Sequence, residues 1–289
     1  MENNINIPVK TDLKGKVAVV TGGGGVLCSY FSRVLAECGA SVAVCDLRFE
    51  NAEKVAAEIN ASGGKAIAVR MNVLDKDSIE EAHKLINEKL GICDILVNGA
   101  GGNNPRGNTD KEQLFPEDIN ADSSDLKTFF NLDTDGIRFV FDLNFLGTLM
   151  PTQVFAKDLA CREGATIINM SSMNSFRPLT KIPAYSGAKA AVSNLTMWLA
   201  EHFAPVGIRV NAIAPGFFVT DQNRAMLINE DGSYTPRSKK ILSNTPMNRF
   251  GEVSDLCGSL VFLADSKASG FVNGIVLPVD GGFSAYSGV

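Results

Sequence analysis

The stretch KVAVVTGGGGVLCSYFSRVLAECGASVAVCD, residues 16–46, decides the fold. It opens on a β-branched apolar run, residues 16–21, which reads as a buried strand. Four glycines follow, Gly22 to Gly25. Val26, Leu27, Tyr30, Phe31, Val34 and Leu35 then recur at helical spacing as far as Cys38. Residues 41–45 form a second strand, ended by Asp46. Strand, glycine turn, helix and strand in that order make a βαβ unit with parallel strands.

The alternation continues along the chain. A helix over 51–61 stops at Gly63 and Gly64, and strand 66–69 follows. A helix over about 77–90 leads to strand 92–97. Residues 136–161 read as one long helix, which Pro151 should kink or bend. Strand 165–170, helix 184–203, strand 208–213 and strand 275–279 complete the series. Apolar strands alternating with helices predict an α/β fold: one Rossmann-like, doubly wound parallel sheet of about seven strands with helices on both faces. The whole chain, 1–289, reads as a single domain. Two long connections, 101–135 and 217–251, break the pattern. Both follow strands at the carboxyl edge, where open α/β sheets bind ligands, so they read as substrate-covering insertions.

Composition sets the limits. The 289 residues are 45% hydrophobic and 20% charged, which suits a globular protein. A net charge of −5 argues against general nucleic-acid binding. No apolar run approaches the ~18–20 residues of a membrane span. The start, MENNINIPVKTDLKGK, lacks the apolar run of a secretory signal. Cys28, Cys38, Cys45, Cys93, Cys161 and Cys257 form no CxxC pair and read as buried thiols in a reducing compartment, hence the cytoplasm. The two histidines, His83 and His202, are far apart, so no metal-ligand spacing exists.

Tyr185 and Lys189 lie four residues apart in AYSGAK, with Ser172 thirteen residues upstream. One helical turn puts the phenol and the ammonium on one face. A neighbouring cation should lower the phenol pKa, and a serine hydroxyl could hold a carbonyl or alcohol oxygen against it. That is acid–base equipment for a C–O bond. At the other motif, the glycines let backbone approach a pyrophosphate at a helix N-terminus. Asp46 is placed to accept hydrogen bonds from an adenosine ribose, which favours NAD; Arg48 keeps NADP open.

From residue 13 onward the chain resembles the short-chain dehydrogenase/reductase family. Ser172, Tyr185 and Lys189 match its catalytic serine, tyrosine and lysine, and Asn144 in DLNFLGT matches the asparagine that helps hold a proton-relay water. Asn98-Gly99-Ala100-Gly101 resembles its NNAG element. Pro215-Gly216 with Val219 and Thr220 resembles the segment around the nicotinamide, and Asn72-Val73 the Asp-Val pair near the adenine. With Gly22, Gly24, Gly25, Val26, Leu27 and Asp46, these are the implied cofactor contacts, shared at the nicotinamide end with Tyr185 and Lys189. One departure stands out. The family pattern TGxxxGxG falls in register with Val26 and Cys28 at two glycine positions. Either the turn is rearranged within Gly22–Gly25, or adenosine-side binding is weaker. The resemblance also implies a homotetramer built on the long helices.

Within the family, TGGGGVLC, the insertion after the fourth strand and Asn104-Pro105-Arg106 resemble sugar-acid oxidoreductases, of the D-mannonate oxidoreductase (fructuronate reductase) and gluconate 5-dehydrogenase type. The implied reaction is reduction of D-fructuronate to D-mannonate with NADH. Asn104, Arg106, Asn174 and Arg177, with Ser172 and Tyr185, are the expected substrate contacts, Arg106 and Arg177 taking the carboxylate. The alternatives are reduction of another ketone, such as 5-ketogluconate or a precursor of a smaller polyol, and a non-catalytic dinucleotide-binding regulator.

Overall fold

A computed structural model of the chain describes residues 11–122, 124–220 and 223–288. The strands are β1 (Val17–Thr21), β2 (Ser41–Asp46), β3 (Lys65–Arg70), β4 (Ile95–Asn98), β5 (Thr166–Met170), β6 (Arg209–Pro215) and β7 (Val276–Val279). The helices of eight or more residues up to the last insertion are α1 (Val26–Glu37), α2 (Phe49–Ala61), α3 (Lys76–Lys89), α4 (Thr134–Phe141), α5 (Gly147–Leu159) and α6 (Pro183–Phe203). The strands form one parallel sheet of order β3-β2-β1-β4-β5-β6-β7. β1 sits between β2 and β4, with Val19 opposite Ala43 on one side and Leu96 on the other.

Strand period two divides the core into two layers. Ala18, Val20, Val42, Val44 and Val97 pack against Phe31 and Leu35 of α1 and Val55 and Ile59 of α2. Val17, Val19, Ala43 and Leu96 face the other way, onto Ile79 and Ile86 of α3, Phe155 and Leu159 of α5, and Leu195 and Leu199 of α6. This is the expected single doubly wound domain, and all carboxyl ends of the strands share one edge. Consecutive strands leave β1 in opposite directions, so a crevice opens between β1 and β4.

The long helix is interrupted, but not at Pro151. A π-helical segment, Asp142–Leu146, separates α4 from α5, while Pro151 lies within α5. The physical reason is the Asn144 side chain, which bonds Gly102 across the crevice and is accommodated by widening the helix. Among the described residues the connection 101–135 carries short 3₁₀ turns before α4 begins at Thr134, whereas 217–251 contains α7 (Arg224–Leu227) and α8 (Pro236–Ser243). A further helix, α9 (Cys257–Ala264), was not legible in the sequence; it packs Leu260 and Leu263 beside α1. Its run CGSLVFLA is apolar with little periodicity, so pattern alone does not separate helix from strand.

The cysteine reading needs correction. Cys28, Cys45 and Cys93 are buried, Cys38 and Cys257 are half-buried, and Cys161 is exposed; all six are free. Cys161 lies in a turn with φ 62°, outside the packed layers. Among the described residues no helix is long and apolar enough to cross a membrane. The first ten positions of the amino-terminal stretch read for a signal lie outside the described residues.

Candidate active site

The glycine turn is short and closed on itself. The Gly25 amide donates to the Gly22 carbonyl at 2.9 Å, and α1 starts at Val26 with Gly25 as its cap. The turn is thus contained within Gly22–Gly25. Gly22 has φ +64°, and a β-carbon there would sit 2.9 Å from the Ala100 Cα. Gly24 is equally constrained, because a β-carbon would lie 2.5 Å from that of Asn51. No side chain caps α1. The amides of Val26, Leu27 and Cys28, in its first turn, point out of the helix with no intrahelical partner, which makes a site for an anion.

Asp46 ends β2 beside this turn. Its carboxylate accepts from the Gly24 amide at 3.1 Å and the Arg48 amide at 3.0 Å. The glycine turn therefore orients the Asp46 carboxylate. Asn72 uses its side-chain oxygen on the Leu74 amide, at 3.1 Å, and Val73 is buried against Gly147. On β4, Asn98 is buried and donates to Thr152 and to Asn169, both at 2.9 Å. The Thr21 hydroxyl accepts from the Gly99 and Ala100 amides at 3.0 and 3.2 Å, so it shapes the loop after β4. Sequence reading passed over Thr21, although a buried hydroxyl at a strand end was a usable signal.

After β6, Pro215-Gly216 runs against the carboxyl end of β7. The Gly216 amide donates to the Val279 carbonyl at 3.0 Å, and a β-carbon on Gly216 would lie 2.6 Å from the Asp280 Cα. Val219 packs against the small core of α7 and α8, and the Thr220 amide donates to Asn223 at 2.8 Å.

Ser172, Tyr185, Lys189 and Asn144 converge at the carboxyl edge of β4 and β5. Ser172 is buried, and its hydroxyl interacts with the Tyr185 phenol. Lys189 is 4% exposed and donates to the Met170 carbonyl at 2.7 Å. Asn144 accepts from the Gly102 amide at 3.2 Å and donates to the Gly102 carbonyl at 2.7 Å. Gly101 lies between the last two: a β-carbon there would be 2.7 Å from the Asn144 Oδ1 and 3.2 Å from the Lys189 Nζ. Its lack of a side chain lets amide and ammonium approach. Gly101 was seen in the motif but not counted as a site residue.

The electrostatics differ from the sequence expectation. Burial pushes the Tyr185 phenol up, and the Ser172 hydroxyl offsets part of that rise. The Lys189 ammonium faces the same ring. The ammonium lies 5.6 Å from the ring centre and is bonded to backbone. It has no carboxylate partner among the described residues, so burial drags its own pKa from 10.5 to about 8. With its pKa near 8 the lysine is still mostly protonated at pH 7.

The expected substrate residues divide. Asn174 is 4% exposed, its amide bonded to the Ser172 hydroxyl and its side-chain oxygen buried without a partner. An unfilled buried acceptor two residues from Ser172 suits a hydroxyl donor. Asn104 caps its own turn on the Arg106 amide at 3.0 Å. Arg106 is exposed and paired with Asp133 at 2.5 Å. That exposed pair lies within the insertion and is of the weak, exchangeable surface kind. Arg177 is exposed and has no ion-pair partner among the described residues.

The family model for short chain dehydrogenase matches residues 16–231. An uncharacterized oxidoreductase of Haemophilus influenzae is 58% identical over 289 residues, covering all of both chains. A crystal structure of a Haemophilus influenzae protein, provisionally described as a D-mannonate oxidoreductase and holding NAD, superposes with TM-score 0.91 at 58% identity, over 96% of this chain and 98% of that one. A gluconate 5-dehydrogenase of Burkholderia cenocepacia, crystallised with NADP and tartrate, gives TM-score 0.77 at 30% identity, over 96% and 98% of the two chains.

Proposed function

The chain belongs to the short chain dehydrogenase family, and on that premise we propose that it reduces the ketone of a sugar acid with NADH, D-fructuronate to D-mannonate being the best-supported reaction. The observation that carries the reading is the convergence of Ser172, Tyr185, Lys189 and Asn144 beside an uncapped helix N-terminus. The residues fit a dinucleotide. The amides at the start of α1 would receive its pyrophosphate, and Asp46, held by the Gly24 amide, would receive the adenosine ribose. Asp46 and the NAD-bound relative favour NAD, while the NADP-bound relative keeps NADP as the second choice.

The bound cofactor supplies the hydride. Tyr185 supplies the proton: a phenol with a raised pKa is neutral at pH 7, the form needed to protonate a ketone oxygen. Ser172 holds that oxygen against the phenol. Lys189, with a pKa near 8, is matched to passing protons at neutral pH, and Asn144, sharing Gly101 with it, would hold the water that returns the proton. The unfilled Asn174 oxygen would accept a substrate hydroxyl, and unpaired Arg177 would meet the carboxylate. The insertions 101–135 and 217–251 would cover the bound substrate.

A second reading, reduction of 5-ketogluconate, is favoured by the gluconate 5-dehydrogenase relative. A homotetramer through α4 and α6 is supported by exposed Phe139, Phe141, Met197 and Trp198 on those helices and by fully exposed Phe271 near β7. The deciding experiment is a panel of D-fructuronate, 5-ketogluconate and neutral ketoses, each with NADH and with NADPH. Fastest turnover of D-fructuronate with NADH is expected, and Arg177→Leu should raise KM for the acids more than for a neutral ketose. Faster turnover of a neutral ketose would overturn the sugar-acid assignment.

A further inference from the structure

Two departures from the family pattern meet in space. Cys28 stands in the first turn of α1 where the pattern has glycine, and Gly99 stands after β4 where the pattern has a second asparagine. A β-carbon on Gly99 would lie 2.2 Å from the Cys28 sulfur and 2.7 Å from the Thr21 carbonyl oxygen. No side chain fits there while the thiol is present. Close approach of the first helix to the sheet is what a glycine at position 28 would ordinarily permit. Here the thiol occupies the helix side of the contact, and the strand side has given up its side chain.

The contact lies under the dinucleotide crevice. Thr21 holds the Gly99 and Ala100 amides at 3.0 and 3.2 Å, and the backbone of Gly22 runs so close that a β-carbon on it would meet the Ala100 Cα at 2.9 Å. Moving Gly99 therefore moves both the glycine turn and the start of α1. We propose that Cys28 and Gly99 act as one complementary packing pair that sets the spacing between α1 and β4, which makes Cys28 a positioning residue for the dinucleotide. The thiol works as a small apolar filler. It is 5% exposed and its pKa is pushed up to about 12 by burial, so it carries no charge between Asp46 and Lys189.

This inference rests on the reading that the dinucleotide binds at the glycine turn, and the test separates the two. NADH affinity is measured by fluorescence titration, without substrate, for the full-length protein, Cys28→Gly, Gly99→Ala and the double variant. Gly99→Ala should weaken NADH at least thirtyfold, and Cys28→Gly about threefold. The double variant should bind at least fivefold more tightly than Gly99→Ala alone, remaining short of the parent because the Thr21 carbonyl still crowds the site. In steady state, Gly99→Ala should raise KM for NADH by more than it lowers kcat. A double variant no tighter than Gly99→Ala overturns the pair, as does a lowered Tm with unchanged KM. If Gly99→Ala does not fold, Cys28→Leu and Cys28→Ala decide: leucine should bind NADH at least tenfold more weakly than alanine, and equal affinities refute the proposal. A parent protein that binds neither NADH nor NADPH removes the underlying reading as well.

Discussion

Lys189→Met should make the cofactor-free protein more stable while removing its activity. The lysine is 4% exposed, has no carboxylate partner among the described residues, and bonds one carbonyl, that of Met170. Burial lowers its pKa from 10.5 to about 8. At about 1.4 kcal/mol per tenfold change, keeping the ammonium buried at pH 7 costs roughly 3 kcal/mol. Methionine fills a similar volume without charge. Losing the Met170 hydrogen bond returns about 1 kcal/mol, leaving a net gain near ~2 kcal/mol. For a chain of this size that raises Tm by about 4 °C. The pH dependence carries the sign. Between about pH 8 and 10.5 the unfolded chain holds the lysine proton and the folded chain does not, so the parent gains stability as pH rises through that window. Methionine has no such group. The advantage of the variant should therefore be full at pH 7 and should shrink, then reverse, as pH approaches 10. Unfolding of both proteins without cofactor, at several pH values, measures this difference; groups common to both cancel. A variant less stable than the parent at pH 7, or a difference that does not move with pH, would refute the reasoning.

Tyr185→Phe should lower turnover by ~10²–10⁴ while NADH affinity changes little, since only the proton donor is removed; intact turnover would end its role as acid. Because burial raises the phenol pKa, the neutral form that serves reduction persists through neutral pH, whereas alcohol oxidation needs the phenolate and should accelerate as pH increases from 7 to 9.5. A flat oxidation profile over that range contradicts the assignment. Gly101→Ala puts a methyl 2.7 Å from the Asn144 Oδ1 and 3.2 Å from the Lys189 Nζ, and should cut kcat about tenfold to a hundredfold. Unchanged kcat would show that the two groups need not approach.

Much of the site was legible because its signals are local. Tyr185 and Lys189 share a helical face, and Asp46 directly follows an apolar strand run. Those inferences need only helical and strand periods. Helix α9 and the π-helical segment at Asn144 were not legible, since one has little periodicity and the other depends on a bond to Gly102 from another part of the chain. Arg106 shows the same limit from the other side. Its partner Asp133 is 27 residues away, and nothing in the spacing reveals that the two are joined.

Residue order by itself determined the parallel sheet and the crevice at its carboxyl edge, through short-range periodicity and right-handed crossovers, and set Tyr185 and Lys189 on one helical face; Asn144 was picked out only by its resemblance to the family motif. Only the tertiary structure decided the state of those groups. Whether Lys189 is charged, whether Tyr185 is neutral, and whether Arg106 is free depend on burial and on partners distant in sequence. A pKa is a property of a surrounding, and a one-dimensional pattern contains the residue without its surrounding.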